Sequence, residues 1–281
     1  MNAPSDRLRP AIAALALLAA LPAGARMSRP PEPSPIASCS AAAQERMADL
    51  KRTLADWADL AHYQAADRTL PPIARGEERV VFMGDSITEG WRDADPGFFA
   101  AHPGYVDRGI SGQTTPQMLL RFRQDVIALR PAVVLILAGT NDIAGNTGPT
   151  TVRAIEGNLE SMAELATASG IRVVLSSVLP VLDYPWHHGV HPAPKVAALN
   201  AWMRGYCART GCVYLDYFSA MADGRKGLPA ALSADGVHPN KAGFAIMEPL
   251  AQEAIAQALA RKLPDGGRAA ANGRRGGREG K

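Results

Sequence analysis

Cysteine is scarce in this chain, three residues in 281, too few for a disulfide scaffold or a zinc site. Cys207 and Cys212 are near enough in sequence to close a small loop, leaving Cys39 as the odd thiol. They read equally well as two unpaired small hydrophobes. Aromatic residues make up 6%, few for a cleft that stacks sugars. Long apolar runs are also missing. Ala11 to Leu21 has 11 residues, short of the ~20 that cross a bilayer, and nothing later suggests a lid for interfacial lipids. A dominant charge is missing too. The chain is +3 overall, but Asp265 to Lys281 holds five basic and two acidic residues, and Arg7, Arg9 and Arg26 outnumber Asp6; the body between is net −2. A weakly acidic body argues against a nucleic-acid partner.

What is present begins with an export signal. Arg7 and Arg9 precede the apolar run, and Ala23-Gly24-Ala25 offers an A-x-A cleavage site. Residues 1–25 are therefore expected to be a signal peptide, and the protein to be periplasmic or secreted, where disulfides are permitted. Ile36-Ala-Ser-Cys39 has the form of a lipobox, but Arg26, Arg29 and prolines separate it from the apolar run. Lipidation of Cys39, and with it a stable membrane anchor, is not expected. Residues 26–40 read as a Pro-rich linker and 264–281 as a disordered, solvated Gly/Arg-rich tail.

Between them lies one expected domain, 41–263, opening with a helical extension over 41–72. Met47, Leu50, Leu54, Trp57 and Leu60 recur at helical steps, predicting a helix from Ala41 to about Ala66 that Pro71 and Pro72 end. Apolar runs at Val80–Met83, Val106–Ile110, Ala132–Ala138, Arg172–Val178 and Val213–Tyr217 predict five strands. Helical patterns fall between them. Thr115-Pro116 is read as a cap with Pro at N1, Gly148-Pro149 opens the next helix, and a further one spans Val196 to Ala208. Asn240 caps the last helix, with Ile246, Leu250, Ala254 and Ala258 inward. Strands alternating with helices mean an α/β fold with a parallel sheet. There is no internal repeat.

Candidate chemistry sits where strands end. Val80–Met83 runs into Gly84-Asp85-Ser86, where open α/β sheets place ligands. Ser86-Ile-Thr-Glu89 also has the form of a capping box, so Ser86 could simply start a helix; G-x-S-x-G is absent. In Asp235-Gly-Val-His238 an aspartate three positions before a histidine can fix the imidazole tautomer and support the imidazolium of acyl transfer. Gly112 can offer a free N–H and Asn141 a neutral side-chain donor; with the Ser86 N–H they would make an oxyanion hole, or they are ordinary turn residues. Two metal readings are weaker. Asp85, Asp107, Asn141 and Asp142 faintly echo a binuclear phosphoesterase, but its His-rich blocks are missing. Asp183, His187, His188 and His191 sit among Pro185, Gly189 and Pro192, which favours an irregular loop. That loop follows a strand, so Trp186 is a candidate wall of the substrate pocket.

Gly84-Asp-Ser86, Gly109-Ile-Ser-Gly112, Gly139-Thr-Asn-Asp142 and Asp235-Gly-Val-His-Pro239 resemble, in order, the successive blocks of the SGNH (GDSL) hydrolase family. The second block, Gly-Ile-Ser-Gly-Gln-Thr-Thr, is most similar to the platelet-activating-factor acetylhydrolase-like branch. The resemblance covers 79 to about 260. It implies a flavodoxin-like three-layer αβα sandwich and metal- and cofactor-free hydrolysis of esters. It assigns Ser86, His238 and Asp235 as catalytic, and Ser86, Gly112 and Asn141 as oxyanion donors. The substrate is then a small-molecule, carbohydrate or lipid ester. The composition tilts this to short acyl or acetyl groups, with longer-chain lysophospholipase or thioesterase activity as the alternative. A non-catalytic binding module is disfavoured because no triad member is missing.

Overall fold

Five short runs of β-branched and aliphatic residues pair side by side, all parallel, in the computed structural model, which describes residues 41–73 and 76–262. They are β1 (Val80–Gly84), β2 (Tyr105–Gly109), β3 (Val133–Leu137), β4 (Arg172–Ser176) and β5 (Val213–Leu215), in the order β2-β1-β3-β4-β5. Each lies where the sequence predicts a strand, within two residues at either end. The expected signal peptide, the Pro-rich linker with Cys39 and the Gly/Arg-rich tail lie outside the described residues. The chain divides into two units, Met1–Arg46 and Met47–Lys281, and all five strands belong to the second.

Helices fill the connections. The boundary between units falls within α1 (Ala41–Ala55), and α2 (Gln64–Thr69) follows it. After β1 come α3 (Ser86–Glu89), α4 (Trp91–Ala94) and α5 (Pro96–Ala101); after β2, α6 (Thr115–Asp125). After β3 come α7 (Thr140–Ala144) and α8 (Val152–Ala168); α9 (Ala193–Thr210) joins β4 to β5. Finally come α10 (Tyr217–Met221) and α11 (Lys241–Ala260).

Strand side chains alternate between the two faces. Val81, Met83, Val134, Ile136, Val173 and Leu175 share one core with Phe122 of α6, Leu159 of α8 and Met203 of α9. Val80, Phe82, Val133, Leu135, Val174 and Val213 share the other with Trp91, Phe98, Tyr217 and the α11 residues Phe244 and Met247. Every residue of β1 and β3 is buried, as strands covered on both sides require. The result is a helix–sheet–helix sandwich with the flavodoxin-like strand order, whose switch point lies between β1 and β3.

Several local expectations need correction. The cap of α6 is Thr114, not Thr115, because the Gln117 side chain reaches back to the Thr114 N–H at 3.0 Å. Thr151 caps α8, accepting from Ala154 N–H at 3.1 Å, so the helix starts beyond Gly148-Pro149. Asn240 does cap α11, accepting from the Ala242 and Gly243 amides. Its buried stripe runs through Phe244, Met247, Ala251, Ala254 and Ala258, leaving Ile246 and Leu250 only half-buried. Cys207 and Cys212 are joined in a disulfide.

The largest correction is at the N-terminal side. A single helix over 41–66 does not form. The Asp56 carboxylate accepts from the Leu60 and Ala61 amides at 2.8 and 2.9 Å, a local bond that competes with helix continuation. α1 buries none of its residues, so Met47, Leu50 and Leu54 stay exposed. The segment after it is held instead by three glutamines around α6. Gln117, Gln113 and Gln124 each donate at 2.7 Å, to the carbonyls of Trp57, Ala58 and Leu60 respectively. Arg108 adds an ion pair to Asp67 and stacks its guanidinium 4.5 Å from the Tyr63 ring centre.

Candidate active site

The carboxyl end of β1 turns sharply into α3. A Cβ on Gly84 would lie 2.0 Å from Thr88 Oγ1, and one on Gly109 would lie 2.2 Å from the Glu89 amide. Only glycines let α3 sit this close to the sheet. Asp85 is its cap, with Oδ1 accepting from Ile87 N–H at 3.0 Å. The capping-box reading of Ser86 and Glu89 is therefore wrong. Glu89 bends away to accept from the backbone and hydroxyl of Ser111, and Ser86, the first helical residue, is left free to face His238.

Ser86 Oγ lies 2.8 Å from His238 Nε2, and His238 Nδ1 lies 2.6 Å from Asp235 Oδ2. An ionised carboxylate only accepts, so Nδ1 carries the proton and Nε2 presents its lone pair to the serine hydroxyl. Asp235 is fixed in turn: Oδ1 accepts from Ser233 Oγ and from the Val237 and His238 amides at 2.8–3.0 Å. Burial alone would raise its pKa, but the bonds from the His238 ring and amide and from Val237 outweigh it and hold the carboxyl at about 2. Gly236, at φ +78, permits the tight turn that brings both side chains together.

Gly112 and Asn141 also come together, after β2 and β3. Gly112 takes φ +77, and its N–H donates to no acceptor among the described residues. Asn141 is buried, giving one Nδ2 proton to the Gln113 carbonyl at 3.1 Å. A residue that sequence reasoning passed over joins them. Asn146 Nδ2 donates to Asn141 Oδ1 at 3.0 Å and to the Gly112 carbonyl at 3.1 Å, while its Oδ1 accepts from Trp186 Nε1 at 3.0 Å. The only signal for it was an asparagine between Gly145 and Gly148, shortly after the Gly139-Thr-Asn-Asp142 block. Asp142, whose pKa burial raises, pins the two loops by accepting from the Thr115 amide and hydroxyl.

Asp85 entered the sequence reading only as part of a faint metal-site echo. It is 1% exposed, its Oδ2 has no hydrogen-bond partner among the described residues, and burial pushes the carboxyl up to about 7. Arg121 is fully buried; it donates to the Gly84 carbonyl and to Asp125 Oδ2, each at 3.0 Å, and to Gln113 Oε1.

The histidine-rich loop does not gather ligands. His187 turns to the Ala144 carbonyl and His188 pairs with Asp183 at 2.7 Å. Among the described residues no group of three His, Cys, Asp or Glu lies close enough to hold a metal ion. Nor is any described helix long and apolar enough to cross a membrane. Trp186 does stand beside the site, its ring centre 5.9 Å from that of His238. It shares a cavity of about 540 Å³ with Gly112, Asn146, His187, and, from the N-terminal segment, Thr53 and Trp57.

Residues 82–246 match the model of the GDSL-like Lipase/Acylhydrolase family, and the chain belongs to that family. It is 26% identical over 204 residues to an acetylxylan esterase of Geobacillus stearothermophilus, covering 60% of this chain and 90% of that one. It is 34% identical over 126 residues to the lipoprotein YqeF of Bacillus subtilis, 39% of this chain, and there spans about half (51%) of the relative's length. Among solved structures, a GDSL-like lipase from Bacteroides thetaiotaomicron is 45% identical with a TM-score of 0.69, covering 72% of this chain and 98% of that one. The protein is a serine hydrolase acting on ester bonds.

Proposed function

We propose that this is an exported esterase that removes short acyl groups, acetyl above all, from hydroxyls of carbohydrate, using Ser86, His238 and Asp235. The observation that carries the mechanism is the unbroken chain Ser86 Oγ–His238–Asp235, with links of 2.8 and 2.6 Å. His238 Nε2 takes the Ser86 proton as Oγ attacks the ester carbonyl. The oxyanion is received by the Ser86 and Gly112 N–H groups and the Asn141 amide. The collapsing intermediate expels the alcohol, which takes the proton from His238. Water then repeats the cycle on the acyl-enzyme, releasing the acid and restoring Ser86. Asp235, held ionised, keeps the tautomer and offsets the imidazolium charge.

The acetyl and carbohydrate parts of the reading draw support from the acetylxylan esterase relative and from the cavity that Gly112 lines together with two exposed indoles, Trp57 and Trp186. Export draws support from the A-x-A site after the apolar run and from a relative named as a lipoprotein. A fluorophosphonate probe should label the wild type and not Ser86→Ala, which keeps its fold and loses turnover. A series of p-nitrophenyl esters should peak at acetate or propionate; a peak at twelve carbons or longer rules out the short-acyl assignment. Intact mass of the mature protein should begin at Arg26, with no diacylglycerol on Cys39.

A further inference from the structure

The last turn of α1 and the segment that breaks away after it place Thr53 and Trp57 in one cavity with Gly112 and Trp186. We propose that Trp57 and Thr53, together with Trp186, form the subsite for the sugar ring that carries the ester, on the alcohol side of the reaction. This rests on the esterase reading and adds a substrate-binding role for Thr53 and Trp57, which lie outside the span matched by the family model.

The side of the reaction follows from the chemistry. The leaving alcohol takes its proton from His238, so it departs over the His238 ring. Trp186 is the indole tilted beside that ring, at 5.9 Å between centres. Trp57 and Thr53 line the same cavity as Trp186, and Gly112 lines it too. The volume, about 540 Å³, falls within the range of ligand sites.

The class of ligand follows from the lining. Of four tryptophans, Trp91 is buried and Trp202 stacks on Tyr206, whereas Trp57 and Trp186 are 41% and 46% exposed. Exposed indoles offer flat apolar faces, and Thr53, Gln117, Asn146 and His187 surround them with hydrogen-bonding groups. An apolar face with a polar rim suits a sugar ring, whereas a long acyl chain needs continuous apolar walls. The Trp186 indole is held from behind, its Nε1 donating to Asn146, and Gln117 fixes the backbone that carries Trp57 through its carbonyl. Fixed aromatic walls bind with little loss of side-chain freedom.

Trp57→Ala removes the ring but keeps the carbonyl that Gln117 holds, so the segment stays anchored. In the full chain, kcat/KM is compared for acetylated xylotriose and for 2,2,2-trifluoroethyl acetate, whose alcohol is too small to reach Trp57. The ratio of the two should fall about tenfold in Trp57→Ala, chiefly through KM, and Trp57→Phe should restore most of it. In a Ser86→Ala background, Trp57→Ala should weaken binding of acetylated xylotriose by a similar factor, which separates binding from catalysis. A ratio changed less than twofold overturns the proposal, whether both activities persist or fall together. Wild type that hydrolyses trifluoroethyl acetate and not the acetylated sugar also overturns it while leaving the esterase intact. Failure on both esters would instead remove the reading beneath it.

Discussion

Asn146 contacts no reacting atom in the proposed mechanism, yet it holds two of the three proposed oxyanion donors. Its amide protons go to Asn141 Oδ1 and to the Gly112 carbonyl, at 3.0 and 3.1 Å. Asn146→Ala leaves both donors present but unanchored. Asn146 is itself exposed, so each lost bond is taken at the low end, about 0.5–1 kcal/mol. Together they amount to about 1–2 kcal/mol of lost transition-state orientation, a five- to thirtyfold drop in kcat. Asn141→Ala deletes a donor outright and should cost more, about 2.7–4 kcal/mol. Asn146→Asp keeps the acceptor for Trp186 Nε1, loses both donors and adds a negative charge near the oxyanion, so it should be worse than alanine. The assay is steady-state hydrolysis of p-nitrophenyl acetate, with melting curves to verify folding. Because Asn146 works partly through Asn141, the double alanine variant should fall short of the product of the single effects. An Asn146→Ala kcat within threefold of wild type, or strictly multiplicative effects, would refute the positioning argument.

Two further outcomes concern stability. Asp85 is protonated to about pH 7 when folded, against about 3.9 when unfolded. Between those values the folded state keeps a proton that the unfolded state has lost, so stability falls as pH rises. Asp85→Asn should remove that fall, a gain over wild type of up to about 4 kcal/mol at pH 8 read as a higher urea midpoint; equal losses in both proteins from pH 5 to 8 would contradict the burial argument. Gly84→Ala should cost about 3 kcal/mol through overpacking, since its Cβ would meet Thr88 Oγ1 at 2.0 Å; a melting temperature unchanged from wild type would show that α3 can move aside freely.

The sheet was legible because burial on both faces leaves a plain mark. Val80–Met83 and Ala132–Ala138 are unbroken apolar runs, and no other use of the chain explains them. The helix stripes were less legible. α11 is apolar nearly all round, so Ile246 and Leu250 competed with Phe244 and Met247 for the inward face, and contact with the sheet decided. The apolar spacing from Met47 to Leu60 looked like one packed helix. Whether such a stripe has a partner is a tertiary fact that spacing does not carry, and Asp56 ends it locally. Ser86, Gly112, Asn141, Asp235 and His238 could be picked out because they follow strand ends or precede a helix. Asn146 could not, and Asp85 showed only as a faint metal-site echo, because their weight lies in what they touch.

Arg121 is the clearest case. In the sequence it is one more arginine on an amphipathic helix, with Met118 and Phe122 supplying the visible stripe. Folded, it is 0% exposed, and a buried guanidinium costs several kcal/mol unless its protons are matched. Here they are matched by the Gly84 carbonyl, Gln113 Oε1 and Asp125. Gly84 lies two residues before Ser86. Gln113 follows Gly112, its backbone carbonyl accepts from Asn141, and its side chain holds Ala58. One cation on α6 thus ties the turn before the nucleophile to the loop of the proposed oxyanion donors and, through Gln113, to the segment bearing Trp57. An apolar side chain would avoid the desolvation cost but could not register three separate loops. That makes geometric register, rather than net stability, the reason for a charge at this position.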